Sequence, residues 1–283
     1  MEADLHIHTM ASDGTNSPEE VVDLAKKAGL AAIGITDHDT VDGIAPALAR
    51  GMRLGVEVVP GVEINTEWEG LEIHILGYCC HLDDGPLLQL LKELRQGRAR
   101  RLERMLERLR EVGLPLSRER VLEIGGPGAV GRPHVARAML EAGYVSSIRE
   151  AFERFLGTGR VAYVGRDKLS PDQAIQKILH SGGVPVLAHP GLLERDDLIR
   201  GMVDSGLMGL EVYYPQHSQV QTKHYLELAR LHGLLVTGGS DWHGAAFNRS
   251  GSLGEFRVQY ELVQVLKKAA RSLENTRNLR LES

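Results

Sequence analysis

Seven short apolar or β-branched runs are spread along this chain, and six of them carry or lead into a side chain of the metal-binding type. His6 and His8 lie in ADLHIHT, with Asp13 following in ASDGT. His38 follows AAIGITD, Glu63 closes EVVPGVEI, His74 sits in LEIHILGYC and His189 ends GVPVLAH. Asp241 and His243 follow LLVTGGS, and MGLEVYY is the run without an assigned ligand. Nine such side chains in one repeated context predict a fold in which strand ends converge on one shared centre.

The segments between several runs have helical grammar. SPEEVVDLAKKAG offers Ser17 as an N-cap, Pro18 at the first helical position and Gly29 as a stop. SPDQAIQKILHSGG repeats the pattern from Ser170 to Gly182, and HYLELARLHG ends at Gly233. Seven strands alternating with helices predict an α/β chain of parallel βαβ units closed into a barrel. Barrel chemistry sits at the C-terminal ends of strands, where these ligands fall. A doubly wound open sheet is the alternative, but ligands drawn from nearly every strand fit a closed ring better.

Imidazole and carboxylate together suit manganese, iron or zinc, whereas an oxygen-only set would suit magnesium or calcium. Nine ligands exceed the needs of one ion, so two or three divalent ions are expected, with a carboxylate such as Glu63 able to bridge two. The strand period of two puts His6 and His8 on one side and Ile7 on the opposite, apolar one. Taken singly, each piece has a plainer explanation. A lone His-x-His is commonly accidental, and Asp13 and Asp37–Asp39 suit turns or helix caps. Read jointly, the nine are hard to assign to coincidence.

A chain of 283 residues can bury a large core, and its net charge of −5 argues against nucleic-acid binding by bulk basicity. Two adjacent cysteines, Cys79 and Cys80, form no spaced pair and read as small buried strand residues in a reducing compartment. No run approaches the roughly 20 apolar residues of a membrane span, and MEADLHIHT lacks the basic and apolar segments of a secretory leader. The expected location is the cytoplasm, with no membrane association and no stable protein partner.

The strand–helix alternation is interrupted over residues 83–164. PLLQLLKELRQGRARRLERMLERLREVG places Leu91, Leu94, Leu102, Met105, Leu106, Leu109 and Val112 on a helical stripe, with arginines opposite. Further helices are expected around Arg132–Glu141 and Ser147–Leu156, separated by turns such as IGGPGAVG. We therefore expect a discontinuous barrel domain over residues 1–82 and 165–270, a helical cap inserted at 83–164, and a polar tail at 271–283. The arginine face, with several Glu–Arg pairs at helical spacing, reads as a solvated, salt-bridged surface. Better phosphate ligands are Arg132 and His134 in GRPHVARAML and Arg160 in GTGRVAYV, because a guanidinium fork matches phosphate geometry.

HIHTMASDGT, GITDHDT, GVEIN, IHILGY, LAHP and GGSDWHG together resemble the motifs of the PHP (polymerase and histidinol phosphatase) superfamily of metal-dependent phosphoesterases, over about Ala3 to Gly244. The inserted segment and EVYYPQHS are similar to the TrpH-like branch of nucleotide 3′,5′-bisphosphate phosphatases and 5′-to-3′ exoribonucleases. The resemblance implies a distorted seven-stranded (β/α) barrel with up to three ions. His6, His8, Glu63 and Asp241 would hold one. Glu63 would bridge to a second with His74 and His189, and Asp13, His38 and His243 would take the third. Arg132 and His134 match residues that bind substrate phosphate, and Arg160 stands where lysine is expected. The activity so implied is hydrolysis of the 3′-phosphate of nucleoside 3′,5′-bisphosphates, with trimming of 5′-phosphorylated short RNA, through a metal-bridged hydroxide. His6, His8, Glu63, Asp241 and His243 form the reacting centre in this reading. The alternatives are a histidinol phosphatase or another small-molecule phosphatase, and a non-enzymatic metal-binding module.

Overall fold

Local chemistry starts the first helix: Ser17 accepts from the Glu20 N–H while the Glu20 side chain accepts from Ser17 N, a reciprocal cap. The same device opens the helices that follow Ser170 and Ser218. The computed structural model describes the chain except residues 84, 127–129, 166–168, 245–251 and 282–283, and side chains from 276 onward. Its strands are β1 (Glu2–Ile7), β2 (Ala32–Ile35), β3 (Glu57–Trp68), β4 (Leu71–Tyr78), β5 (Val184–Leu187), β6 (Gly209–Tyr213), β7 (Leu235–Gly238) and β8 (Val258–Gln259). Its helices are α1 (Pro18–Lys27), α2 (Ile44–Leu54), α3 (Gly85–Glu111), α4 (Arg118–Gly125), α5 (Arg132–Glu141), α6 (Ile148–Ala151), α7 (Pro171–His180), α8 (Pro190–Leu193), α9 (Asp197–Asp204), α10 (Gln219–His232) and α11 (Tyr260–Leu281). A π-helical turn, Phe152–Leu156, continues α6, and α11 runs through the segment read as a polar tail.

The strands form one sheet in the order β7-β6-β5-β4-β3-β2-β1-β8. Its ends nearly meet: the segment after β7 pairs Trp242 with Ile7, and His8 N donates to Trp242 O at 2.9 Å. The result is a barrel-like α/β fold. It departs from the sequence expectation in two respects. β8 is an eighth, two-residue strand, antiparallel to β1. β4 runs antiparallel to both β3 and β5, so the βαβ rule fails there. Only Glu69 and Gly70 separate Trp68 from its partner Leu71, and a parallel return needs a crossover of a dozen or more residues. Both turn residues have positive φ, 50° and 86°, as a two-residue hairpin with a type I′ turn requires.

The register of β1 with β2 shifts between Asp4 and Ile7. Asp4, opposite Ile33, and Ile7, opposite Ile35, therefore lie on one face, where Ile7 packs with Val21, Val22, Ile33 and Ile35. Cys79 and Cys80 are free and lie just past β4 rather than in it. Cys79 is only half-buried and has a φ of 58°.

The chain separates into two compact units, Met1–Leu90 with Lys168–Ser283, and Leu91–Asp167. The first boundary thus falls inside α3. In the second unit Leu102, Met105, Leu106 and Leu109 of α3 pack with Val121, Val135, Met139 and Leu156. Val112, expected on this stripe, lies beyond the end of α3 and is exposed. Among the described residues, no helix is long and apolar enough to cross a membrane.

Candidate metal centre

Parallel strands deliver most of the nine side chains at their C-terminal ends. His6 is on β1 and His8 just beyond it, His38 follows β2, Glu63 is on β3, His189 follows β5, and Asp241 and His243 follow β7. His74 comes from β4, running the other way. His189 and Asp241 both take positive φ, 30° and 50°, which non-glycine residues rarely adopt and which clusters at functional sites.

The nine converge. His6 Nε2 and His8 Nε2 face each other at 3.1 Å, with Asp241 Oδ1 at 3.4 and 3.1 Å and Glu63 Oε2 at 3.3 and 3.2 Å from them. A second group joins His8, Asp13, His38 and His243, where Asp13 Oδ1 lies 3.4 Å from His243 Nε2 and 3.7 Å from His8 Nδ1. A third joins His38, Glu63 and His74: Glu63 Oε1 is 2.7 Å from His74 Nδ1, and Oε2 is 3.0 Å from His38 Nδ1. His189 Nε2 stands 3.3 Å from Glu63 Oε1. The groups therefore overlap, with His8, His38 and Glu63 each belonging to two.

The electrostatics follow from this crowding. Burial opposes charge on His8, but Asp241 and Glu63 beside it carry its pKa up to about 10. Burial likewise opposes charge on His74, and Glu63 lifts it to about 9. His6 is raised against burial by Glu211, Asp241 and Glu63. Glu63 and Asp13 are held well below the carboxylate range despite burial, Glu63 by His38 and His74, Asp13 by His243 and His38. The donor set fits divalent cations on an independent ground. Asp13 Oδ1 and Glu63 Oε2 are buried without a hydrogen-bond partner among the described residues, and uncompensated buried acceptors are costly. A cation between the facing rings of His6 and His8 would accept a lone pair from each.

A surrounding layer fixes these side chains, and sequence reasoning missed it. Glu211 on β6 takes up His6 Nδ1 at 2.9 Å. Asp37 accepts from Thr9 N, Thr9 Oγ1 and Ser12 Oγ, pinning the loop between His8 and Asp13. Asn65 Nδ2 lies 3.1 Å from His38 Nδ1, and Tyr214 donates to Asp241 Oδ2 at 2.9 Å. Asp4 accepts from Ser240 N, Ser240 Oγ and Gly254 N at 2.9, 2.6 and 2.8 Å, tying β1 to the loop that carries Asp241. The available signal was an acid inside an apolar run, Asp4 in ADLHIHT and Glu211 in MGLEVYY. Asp4→Ala strands those donors in a buried position. It should cost about 3 kcal/mol, each orphaned group being worth about 1–3 kcal/mol, and urea unfolding of the metal-free protein measures it.

The expected phosphate ligands all lie in the second unit. Arg132 opens α5, its guanidinium 5.9 Å from the Phe152 ring centre and 5.8 Å from that of Tyr163. His134 is buried, and its Nδ1 accepts the Gly131 N–H at 3.0 Å, so one ring nitrogen serves as a helix cap. Arg160 is exposed.

A model of the PHP domain matches residues 4–156. The chain belongs to the PHP domain family. Full-length relatives agree with that membership. The 5′-3′ exoribonuclease Rnm of Escherichia coli (strain K12) is 37% identical over 85% of this chain and 84% of its own. A phosphoribosyl 1,2-cyclic phosphate 1,2-diphosphodiesterase of Eggerthella lenta is 34% identical over 90% and 98%. A 3′,5′-nucleoside bisphosphate phosphatase of Chromobacterium violaceum is 33% identical over 85% and 86%. Among solved structures, a metal-dependent phosphoesterase from Bifidobacterium adolescentis superposes with a TM-score of 0.86 at 32% identity, covering 94% of this chain and 96% of that one. This PHP domain protein is a hydrolase of a metal-dependent phosphoesterase family, and eight of its nine converging side chains fall into groups that could hold a metal ion, with His189 beside Glu63.

Proposed function

We propose that the chain removes the 3′-phosphate of nucleoside 3′,5′-bisphosphates, leaving the 5′-monophosphate, and also trims short 5′-phosphorylated RNA from its 5′ end. The observation that carries this reading is the set of overlapping ligand groups linked through His8, His38 and Glu63, in a chain that aligns over 85% of its length with a bisphosphate phosphatase and an exoribonuclease. The chemistry that two or three bound manganese, iron or zinc ions supply is acidification of a water and neutralisation of charge on the phosphoryl oxygens. His6, His8, Glu63 and Asp241 would hold one ion, Glu63 with His74 and His189 a second, and Asp13, His38 and His243 a third. Tyr214, by occupying Asp241 Oδ2, keeps Oδ1 turned to His6 and His8. Arg132, with His134 and Arg160 in the same unit, is the proposed ligand of the substrate's other phosphate.

Product formation by manganese-loaded protein tests the reading. It is followed as inorganic phosphate from the monoesters and the bisphosphate, as released mononucleotide from the RNA and as opened ester from the cyclic diester. The panel is adenosine 3′,5′-bisphosphate, 3′-AMP, 5′-AMP, histidinol phosphate, a ribose cyclic phosphodiester and a 5′-phosphorylated RNA tetramer. Preference for the bisphosphate or the RNA supports it, whereas preference for histidinol phosphate or the cyclic diester overturns the substrate assignment. Arg132→Ala should raise KM for the bisphosphate by about 10- to 100-fold, the value of a charge-assisted contact of about 1.5–3 kcal/mol. An aryl phosphate should be hydrolysed as before. Equal losses on both substrates would remove Arg132 from phosphate recognition.

A further inference from the structure

We infer that Glu211 is a positioning residue that sets which nitrogen of His6 is free to bind a cation and at the same time fixes the backbone of His189. The inference rests on the metal-site reading above. Glu211 is fully buried on β6, and each of its oxygens meets a partner among the described residues. Oε1 lies 2.9 Å from His6 Nδ1, and Oε2 accepts the His189 N–H at 2.8 Å. A carboxylate oxygen facing a ring nitrogen accepts, so Glu211 holds a proton on His6 Nδ1, and Nε2 is the nitrogen left to give up its proton and offer a lone pair when a cation binds. Nε2 is the atom turned towards His8, Glu63 and Asp241.

The second contact acts on conformation. His189 has φ 30° and ψ 56°, a left-handed geometry that a β-carbon disfavours, and its N–H is held by Glu211. Its ring runs nearly parallel to that of His6, at 18° and 6.1 Å between centres. Glu63 spans the same two histidines from the other side, with Oε2 3.3 Å from His6 Nε2 and Oε1 3.3 Å from His189 Nε2. Two carboxylates and two histidines thus close a ring. Glu63 takes the ligand nitrogens and Glu211 takes the groups behind them, so Glu211 fixes the spacing between the ion positions that share Glu63.

Glu211→Gln separates these roles from simple packing, because the amide has the same shape but one donor end. The His189 N–H requires the amide oxygen, which turns the NH2 towards His6 Nδ1. That nitrogen must then accept, and the proton moves to Nε2, where it blocks the lone pair. Manganese affinity, measured by titration calorimetry and by metal content after dialysis, should fall about 10- to 100-fold, the usual cost of losing a carboxylate behind a ligand histidine. Near-ultraviolet circular dichroism of the metal-free variant should match that of the wild type. Unchanged manganese affinity in a folded Glu211→Gln protein overturns the inference, whereas a wild-type protein that binds no manganese, iron or zinc overturns the metal reading on which it rests. A measurement on the wild type covers a variant that does not fold. Long-range proton–nitrogen correlation spectra of the zinc-loaded protein should show His6 protonated at Nδ1, and protonation at Nε2 refutes the assignment.

Discussion

Glu63→Gln should abolish phosphoester hydrolysis, lowering kcat by about a thousandfold or more on every substrate and depleting the protein of bound metal. The basis is position. Glu63 Oε2 stands 3.0, 3.2 and 3.3 Å from nitrogens of His38, His8 and His6, and Oε1 stands 2.7 and 3.3 Å from His74 and His189. No other carboxylate of the site touches so many rings. Removing its charge while keeping its shape weakens the hold on every ion that it contacts. Metal stabilisation of a phosphoryl transition state is worth several kcal/mol, and about 4 kcal/mol corresponds to a thousandfold. Steady-state rates and metal content of the same preparation check the two halves together. A Glu63→Gln protein that keeps its metal and turns over normally would remove Glu63 from the centre.

Stability should depend on pH with opposite signs in the metal-free and metal-loaded protein. In the metal-free state protons stand in for cations. His74, at about 9, and His8, at about 10, bind a proton more tightly folded than unfolded, where histidine sits near 6.5. That stabilisation is complete below pH 6.5 and is lost as pH rises through 9 and 10. His74 alone accounts for about 3 kcal/mol over this window. Ions must displace those protons, so their affinity, and the stability they confer, rises over the same range. Melting curves from pH 6.5 to 9.5, with chelator and with manganese, should therefore diverge. A chelator-treated protein whose Tm holds steady or climbs across that range would contradict the protonated-histidine state.

How much could be read in advance varied with the kind of signal. The strand runs and the capped helices were legible because each is a local pattern: Ser17 with Glu20 and Ser170 with Gln173 encode their own starts. Most of the nine metal-type residues were legible because they sit in or just past an apolar run, and Asp13, in ASDGT, because it follows His8 closely. The reversal of β4 was not, since seven alternating runs suggest a uniform direction, and only the two-residue connection Glu69–Gly70, too short for a crossover, argues against it. Glu211 and Asp4 escaped for another reason. Their partners, His6, His189, Ser240 and Gly254, are remote in sequence, and an acid within a strand declares its task only once the strands are assembled.

The Glu69–Gly70 hairpin also acts as a ruler. Its two residues set Asn65 opposite His74 and Glu63 opposite Leu76. Because side chains alternate along a strand, a slip of one residue would turn His74 to the far face and present a neighbour in its place. Exposed turns are ordinarily where a protein tolerates insertions most freely. Here a two-residue hairpin sets the register of two candidate metal ligands, so an insertion at this tip should shift His74 against Glu63 where an insertion in another exposed turn would not.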